Sequence, residues 1–209
     1  MSNTNITILL SGRGSNFRAI NKAIEQKKIK NASIVAVISN KPYAEGLSYA
    51  KDNNIETFVL DPKMYPTREK FDEEVLRITQ SFDTGLICLA GYMRILSNVL
   101  VDAYPVKIIN IHPSLLPAFP GMNAQKQALN YGVRFSGCTV HFVDHGLDTG
   151  PVIIQQVVPI FPDDSEYTLS ERILKEEHLL YPKAVGLFTK GLLHIDGRTV
   201  KILQELNEE

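Results

Sequence analysis

Five short apolar runs, separated by stretches with helical spacing, constrain the fold of this chain more than any other feature. The runs cover residues 6–10, 33–39, 57–60, 86–90 and 108–111. Their length is typical of strands, and their lack of polar alternation indicates strands that are buried on both faces. Strands that alternate with helices predict βαβ units, so we expect a parallel sheet with helices packed against it.

The pattern changes in the C-terminal part of the chain. Residues 124–131 have helical spacing, and two strand-like runs, 137–143 and 151–159, are joined by the glycine-punctuated loop 144–150. Strands joined in this way are predicted to be antiparallel. A helix is predicted over 168–190, with Pro182 as a kink or break, and a hairpin around Asp196-Gly197. We therefore predict a single α/β domain over residues 1–209, a Rossmann-like, mostly parallel sheet flanked by helices, with antiparallel strands in the C-terminal half.

Composition excludes several classes of partner. The 209 residues are 44% hydrophobic and 22% charged, with a formal net charge of -1 and no basic block. A nucleic acid or an anionic membrane surface is therefore not an expected partner. Any positive charge that an anionic substrate needs must be local.

Cysteine usage and the N-terminus indicate a reduced compartment. Cys88 and Cys138 are the only cysteines, and each lies in an apolar run, so we expect buried free thiols. The N-terminal residues lack the features of a signal peptide. No apolar run approaches the ~20 residues of a membrane span. We expect a cytoplasmic protein, as a monomer or homodimer.

A glycine-rich loop follows the first apolar run. Residues 11–16 (SGRGSN) precede a predicted helix, an arrangement that points backbone N–H groups at an anion. Phe17 stands where a dinucleotide fingerprint needs a third glycine, and the lysine of a Walker A loop is missing. A single phosphate fits this loop, and a tight turn with an asparagine cap fits it equally well. Arg68, in the first turn of a helix that Thr67 can cap, is either a second anion contact or a surface arginine.

Three loops are predicted to converge at one edge of the sheet. Loops 12–16 and 91–96 and the loop that begins at His112 all follow predicted parallel strands. Ligands of open α/β sheets bind outside the carboxyl ends of the strands. We therefore expect the functional site at this edge.

Asn110, His112 and Asp148 are the candidate catalytic groups. Asn110 and His112 share one face of a strand, and Asp148 lies in the loop 144–150. An imidazole transfers protons near neutral pH, a carboxamide N–H stabilises an oxyanion by roughly 3–4 kcal/mol, and a carboxylate favours the imidazolium. The alternative without a functional role is a strand followed by a loop that its prolines make rigid. The sequence has no nucleophile elbow, so direct acyl-type transfer is the expected chemistry.

A metal site is not expected. His112, His141 and His145 match no zinc spacing. His141 alternates with apolar neighbours, which indicates a core residue or one that supports the site.

These motifs resemble those of the folate-dependent formyltransferases. The segment 110–117 (NIHPSLLP), followed by Phe119 and Gly121, is similar to the hallmark of that superfamily, and 147–153 (LDTGPVI) is similar to its second block. Residues 11–16, 89–96 (LAGYMRIL) and Glu177-His178 extend the resemblance to the members that act on a glycinamide ribonucleotide. It runs from about residue 7 to about residue 193.

The resemblance implies transfer of the formyl group of 10-formyltetrahydrofolate to the amine of 5-phosphoribosylglycinamide, the third step of purine biosynthesis, on a formyltransferase fold without a metal. Asn110 would polarise the formyl oxygen, His112 would be the general acid, and Asp148 would support the protonated ring and move protons. The residues implied in substrate binding are Gly14, Ser15 and Asn16 at the phosphate and Glu177 at the glycinamide end. Those implied in folate binding are Arg68, Met93, Arg94, Ile95, Leu96 and Asn110. Residues of about 1–110 would bind the phosphate substrate, and about 111–209 would complete the folate and catalytic site.

The sequence departs from the family pattern in two places. Asn123, with Gln125 beyond it, stands where the family usually has a histidine, which puts that histidine's auxiliary role in doubt. Thr84-Gly85 replaces the usual Asp-Leu before the fourth strand, which we expect to weaken slightly.

Four alternatives to the glycinamide branch are open. Methionyl-tRNA formyltransferases usually carry a further C-terminal domain and a basic surface, and formyltetrahydrofolate deformylases an N-terminal regulatory domain. Sugar-nucleotide formyltransferases generally lack the glycine-rich loop. A non-catalytic binding protein on the same fold would not need Asn110, His112 and Asp148 together. The length, the charge and the early first strand of this chain favour the glycinamide branch.

Overall fold

The computed structural model describes residues 3–204, and its elements follow the predicted alternation of strands and helices. The strands are β1 Thr4–Leu10, β2 Ala32–Ser39, β3 Glu56–Val59, β4 Leu86–Leu89, β5 Ile108–His112, β6 Phe135–Phe142, β7 Val152–Pro159, β8 Leu193–Asp196 and β9 Thr199–Ile202. The helices are α1 Ser15–Glu25, α2 Glu45–Asp52, α3 Arg68–Ser81, α4 Asn98–Ala103, α5 Ala124–Tyr131 and α6 Glu166–Thr189. A short 3-10 helix covers Pro62–Met64.

All nine strands found within residues 3–204 form one mixed sheet in the order β3-β2-β1-β4-β5-β6-β7-β9-β8. The five strands β3, β2, β1, β4 and β5 are parallel to their neighbours. β6 runs antiparallel to β5 and β7 antiparallel to β6, and β8 and β9 form the predicted hairpin. The predicted fold class is confirmed. The strand order reverses between β1 and β4, and such a switch point opens a ligand crevice at the carboxyl ends of the strands.

The sheet is covered by helices on both faces. Ile8 and Leu9 are adjacent in β1 and point to opposite faces, yet both are fully buried. The face of Ile8 packs against α1 and α6 through Phe17 and Tyr181. The face of Leu9 packs against α3 and α4, with Phe71 among its contacts. Burial on both faces explains why the strands read as continuous apolar runs.

Helix α6 corrects one expectation. A kink or a break is predicted at Pro182; the residue lies inside an unbroken helix of 24 residues, so the break is wrong. Tyr181, Ala184 and Val185 around the proline are fully buried. A proline inside a helix costs about 3 kcal/mol, and the burial of these side chains against the sheet offsets that cost.

The start of α1 settles the alternative interpretation of the glycine-rich loop. Gly14, with φ 71°, precedes the helix, and Asn16 lies within the first turn, where it does not act as a cap. A Cβ on Gly14 would lie 2.9 Å from the Cα of Gly46, so the positive φ and the close approach of α2 both require glycine here. The asparagine side chain is therefore free for another role.

Both cysteines are buried and free, as predicted. Burial raises the pKa of the Cys138 thiol to about 12 and raises that of Cys88 as well. Within residues 3–204, no helix combines the length and the apolar character needed to cross a bilayer.

Candidate active site

The loops that follow β1 and β4 meet at the switch point. The N–H of Ser11 donates to the Gly91 carbonyl at 3.0 Å, and the N–H of Met93 donates to the Ser11 hydroxyl at 2.8 Å. The predicted convergence of these loops at the carboxyl edge of the sheet is therefore observed.

The register of β5 and β6 brings Asn110 beside His141. The two residues are direct cross-strand partners, and the Asn110 Nδ2 lies 3.3 Å from the His141 Nε2. The His141 Nδ1 lies 2.8 Å from the Phe142 carbonyl oxygen. Because a carbonyl only accepts, Nδ1 carries the ring hydrogen and Nε2 accepts from the Asn110 amide. His141 thereby fixes the orientation of the Asn110 carboxamide.

Burial keeps the His141 ring in this neutral form. Its side chain is 2% exposed. Burial lowers the pKa of His141, against the Phe142 carbonyl and the Asp148 carboxylate, which raise it. A neutral ring keeps the Nε2 lone pair that the Asn110 amide needs.

His112 is held between two acceptors. Its Nε2 lies 2.9 Å from the Phe119 carbonyl oxygen, and its Nδ1 lies 3.4 Å from the Asp148 Oδ2. The side chain is 6% exposed. Two acceptors on opposite nitrogens fix the plane of the ring.

Asp148 reaches into the site from the loop between β6 and β7. It has a positive φ of 54°, and its Oδ2 accepts the N–H of Gly121 at 2.8 Å. Its Oδ1 lies 3.8 Å from the His141 Nε2. Gly150 closes this loop, since a Cβ there would lie 1.8 Å from the Phe142 carbonyl oxygen. The structure thus brings the three predicted groups, Asn110, His112 and Asp148, into one cluster with His141.

A second buried polar group lies at the start of α1. The Asn16 Nδ2 donates to the Glu177 Oε2 at 2.7 Å, and both residues are 7% exposed. Burial raises the pKa of Glu177, against the Asn16 hydrogen bond, which lowers it. The Asn16 Oδ1 is buried and has no hydrogen-bond partner among residues 3–204. The hydrogen bond places Glu177 beside the Gly14–Asn16 turn.

The candidate folate residues divide into exposed apolar groups and cations. Met93 is 68% exposed and Ile95 55% exposed, whereas Leu96 is buried. The Arg94 guanidinium lies 4.2 Å above the Phe71 ring. Arg68 is half-exposed at the start of α3, with its Nε 3.7 Å from the Glu69 carboxylate. An apolar surface flanked by cations lies at the mouth of the switch point.

Sequence reasoning missed the side chains that hold the loop after β5. The Thr139 hydroxyl donates to the Ser114 carbonyl at 2.7 Å and lies 2.9 Å from the Gln155 Nε2. The Gln155 amide also donates to the Leu116 carbonyl at 2.8 Å. These bonds support the loop that carries the Phe119 carbonyl to His112. A signal was present, because Thr139 and His141 are polar residues on one face of an otherwise apolar strand.

The two departures from the family pattern have structural explanations. Asn123 is exposed and precedes α5 with φ 58°, a conformation that asparagine tolerates. Thr84 is buried with its hydroxyl 2.7 Å from that of Thr7. Gly85 lies just before β4, where its N–H donates to the Asn5 carbonyl at 2.8 Å. The glycine therefore falls outside the strand that it was expected to weaken.

In the part of the chain that the structure describes, no group of three His, Cys, Asp or Glu side chains is arranged to hold a metal ion. The candidate site consists of organic acids, bases and amides. Such groups are able to transfer protons and to stabilise negative charge on oxygen.

Comparison with known proteins gives a consistent result. Residues 4–185 match the family described as formyl transferase. The trifunctional purine biosynthetic protein adenosine-3 of Drosophila melanogaster is 46% identical over 187 residues, which are 89% of this chain but only 14% of the length of that relative. The phosphoribosylglycinamide formyltransferase of Escherichia coli (strain K12) is 42% identical over 90% of this chain and 89% of that protein. The crystal structure of glycinamide ribonucleotide transformylase 1 from Symbiobacterium toebii superimposes with a TM-score of 0.95 at 44% identity, over 97% of this chain and 95% of that chain.

Proposed function

The chain belongs to the formyl transferase family, and we propose that it transfers the formyl group of 10-formyltetrahydrofolate to the amine of 5-phosphoribosylglycinamide. One observation carries this proposal: the cluster of Asn110, His112 and Asp148 lies at the same sheet edge as the Gly14–Asn16 turn. The cluster of three side chains suits a carbonyl under nucleophilic attack, and the turn suits a phosphate. Relatives that align over nearly their whole length carry the corresponding name.

Asn110 and His112 would stabilise the oxygen of the formyl group. One N–H of the Asn110 amide is directed to His141, which leaves the second N–H for the formyl oxygen. Attack of the substrate amine moves the carbonyl electron pair onto that oxygen, and His112 supplies the second donor. In water-excluded sites each such donor contributes roughly 3–4 kcal/mol to the transition state. Asn110 is already oriented by His141, whereas the His112 Nε2 faces the Phe119 carbonyl in this structure and would have to exchange that acceptor for the formyl oxygen.

Asp148 would connect the proton transfers. Its Oδ2 faces His112 Nδ1 at 3.4 Å, a separation that can shorten in the complex with substrate. The attacking amine loses one proton, and N10 of tetrahydrofolate gains one as the carbon–nitrogen bond to the formyl carbon breaks. A carboxylate next to an imidazole can accept the first proton and support delivery of the second. The products are the formylated amide and tetrahydrofolate, so the protons balance without a metal.

The nucleotide end fits a phosphate and a polar head. The first turn of α1 contains Ser15 and Asn16 and no acidic residue, so its N–H groups favour an anion. The buried Asn16 Oδ1 lacks a partner within the described residues, and a ligand N–H or O–H would satisfy it. Glu177 lies beside it and would position the glycinamide end.

The folate end fits an apolar ring system with an acidic tail. Met93 and Ile95 present exposed apolar side chains beside the catalytic edge. Arg68 and Arg94 supply the positive charge that glutamate carboxylates need. The net charge of the whole chain is -1, so this attraction is local.

A formyl-transfer assay with both purified substrates tests the proposal. We expect stoichiometric formation of tetrahydrofolate and N-formylated nucleotide, dependent on both substrates. Replacement of the exposed His194 by Asn, on the β8–β9 hairpin, provides a matched histidine control that should retain activity. Release of formate without nucleotide would instead indicate a deformylase. No folate-dependent product from folded protein would refute the proposal.

A further inference from the structure

Two side chains outside the proposed site fix the loop of residues 91–97, here called the β4 loop. We infer that these side chains, Ser11 and Asp72, are positioning residues for the formyl donor. The inference rests on the proposed function, in which Met93–Leu96 contact folate. Beyond that function, the inference states that the affinity for 10-formyltetrahydrofolate depends on Ser11, a residue of the glycine-rich loop 11–16 that is proposed to bind the nucleotide.

Ser11 holds the first half of the β4 loop. Its hydroxyl donates to the Asn40 Oδ1 at 2.6 Å and accepts the Met93 N–H at 2.8 Å. Its own N–H donates to the Gly91 carbonyl at 3.0 Å. A hydroxyl has one hydrogen to donate, and the Asn40 oxygen takes it, so the lone pairs of Ser11 face Met93. The chain Asn40–Ser11–Met93 thus connects the ends of β2, β1 and β4.

Asp72 holds the other end of the β4 loop. It lies on α3, is 1% exposed, and its Oδ2 accepts the Ser97 N–H at 2.5 Å. Burial raises the pKa of the Asp72 carboxyl, against the Ser97 N–H and the charges of Arg94 and Arg68, which lower it. A buried carboxylate in this position favours one conformation of the loop, because moving the loop would leave the carboxylate buried without a hydrogen-bond donor.

Between these anchors, Leu96 is buried in the apolar cluster that contains Phe71, and Tyr92 packs against that cluster. The Ser97 hydroxyl and the Arg94 Nε are buried and make no hydrogen bond to any described residue. Arg94 contacts the Phe71 ring, next to Asp72 on α3. Met93 and Ile95 face solvent and take no part in this packing, so their position depends on the backbone anchors that Ser11 and Asp72 provide.

The contacts of Ser11 make its expected effect specific. Its hydroxyl bonds go to Asn40 and Met93 and not to residues 12–16. Loss of the hydroxyl should therefore weaken folate binding while nucleotide binding stays nearly unchanged. A general collapse of the β1 loop would affect the nucleotide at least as much.

The test compares Ser11→Ala, Ser11→Thr and Asp72→Asn with wild type, with Ser48→Ala on the exposed side of α2 as the matched control. For Ser11→Ala we expect the KM for 10-formyltetrahydrofolate to rise about 10-fold, the effect of one lost hydrogen bond. The KM for the nucleotide should change less than about 2-fold, and Ser11→Thr should recover most of the loss because it keeps the hydroxyl. Asp72→Asn keeps an oxygen that accepts the Ser97 N–H but loses the negative charge that strengthens this bond, so the folate KM should rise in the same direction. Ser48→Ala should match wild type.

Calorimetric titration with 10-formyltetrahydrofolate distinguishes a failure of the positioning role from a failure of the proposed function. If wild type binds no folate, the proposed function fails. If wild type binds folate and Ser11→Ala binds it equally well, or if nucleotide and folate KM rise together, the positioning role is refuted. Should Ser11→Ala not fold, as judged by thermal unfolding, Asp72→Asn decides the question by the same two KM values.

Discussion

The two ends of the candidate site contain buried polar groups, but they satisfy them differently. At the catalytic end, each ring nitrogen of His112 and His141 faces a partner within 3.4 Å. At the nucleotide end, the buried Asn16 Oδ1 and His178 Nε2 have no hydrogen-bond partner in the described part of the chain. Under the proposed function, the polar groups of the first end have partners before substrate arrives, whereas those of the second end would gain theirs from the nucleotide.

This difference has an energetic basis. A buried polar atom without a partner costs about 1–3 kcal/mol, which a ligand recovers when it supplies the missing bond. A preorganised donor instead lowers the barrier, since it needs no rearrangement in the transition state. Substitutions at the catalytic end should therefore lower kcat, and substitutions at the nucleotide end should raise KM.

The largest effect is expected for His112→Ala. The substitution removes the donor next to the formyl oxygen, and we expect kcat to fall about 10²- to 10⁴-fold, the usual contribution of a general acid. Both KM values should stay within a few-fold, because the ring contacts Phe119 and Asp148 and not Asn16 or Glu177. Steady-state kinetics with each substrate varied in turn measures both quantities. Near-normal turnover would refute the role of His112, and a large rise in the nucleotide KM would break the distinction between the two ends.

The sheet was predictable from the sequence because its cause is local. Each parallel strand appears as a short apolar run, and residues 124–131 have the spacing of the helix that forms there. The predicted start of α3 was also right, since Thr67 accepts the Lys70 N–H at 3.2 Å. Propensity and periodicity operate over a few residues, so a single sequence contains them.

The geometry of the site was predictable only in part. The residue pattern singled out Asn110, His112 and Asp148, and the resemblance implied their roles, but the contact of Asn110 with His141 follows from the β5–β6 register, across 31 residues. The bond between Asn16 and Glu177 spans 161 residues. Pro182 was misjudged because the packing of α6 on the sheet outweighs a local preference. These contacts depend on tertiary structure, which local patterns do not encode.

Glu177→Ala is expected to have the next largest effect, and of the opposite kind. It leaves the buried Asn16 amide without its acceptor, which costs about 1–3 kcal/mol. The nucleotide KM should rise about 10- to 100-fold, while kcat at saturation changes only a few-fold. The neighbouring and more exposed Glu176, replaced by alanine, is the matched control on the same helix and should resemble wild type. A fall in kcat with an unchanged nucleotide KM would show that Glu177 belongs to the catalytic end.

The smallest expected effect is on the pH dependence of folding stability, to which the two ends should contribute with opposite signs. The pKa of His141 is lowered by burial, so below about pH 6.5 the unfolded chain binds a proton that the folded chain does not, and stability falls as pH falls. The pKa of Glu177 is raised by burial, so above its unfolded value the folded chain retains a proton, and stability falls as pH rises. Each contributes at most about 1.4 kcal/mol per pH unit. His178, whose pKa is also lowered, adds to the first trend in every variant.

Urea unfolding at about pH 4.5 and about pH 7.5, a range that begins near the ordinary pKa of a glutamate and spans that of a histidine, measures both contributions through linkage. His141→Gln removes a group that destabilises the acidic condition, so the loss of unfolding free energy between about pH 7.5 and about pH 4.5 should shrink relative to wild type. Glu177→Gln removes a group that favours the acidic condition, so the same loss should grow. Slopes that change in the same direction for both variants would show that the two ends respond to protons as one unit, and would overturn the distinction between a preorganised end and an end that the ligand completes.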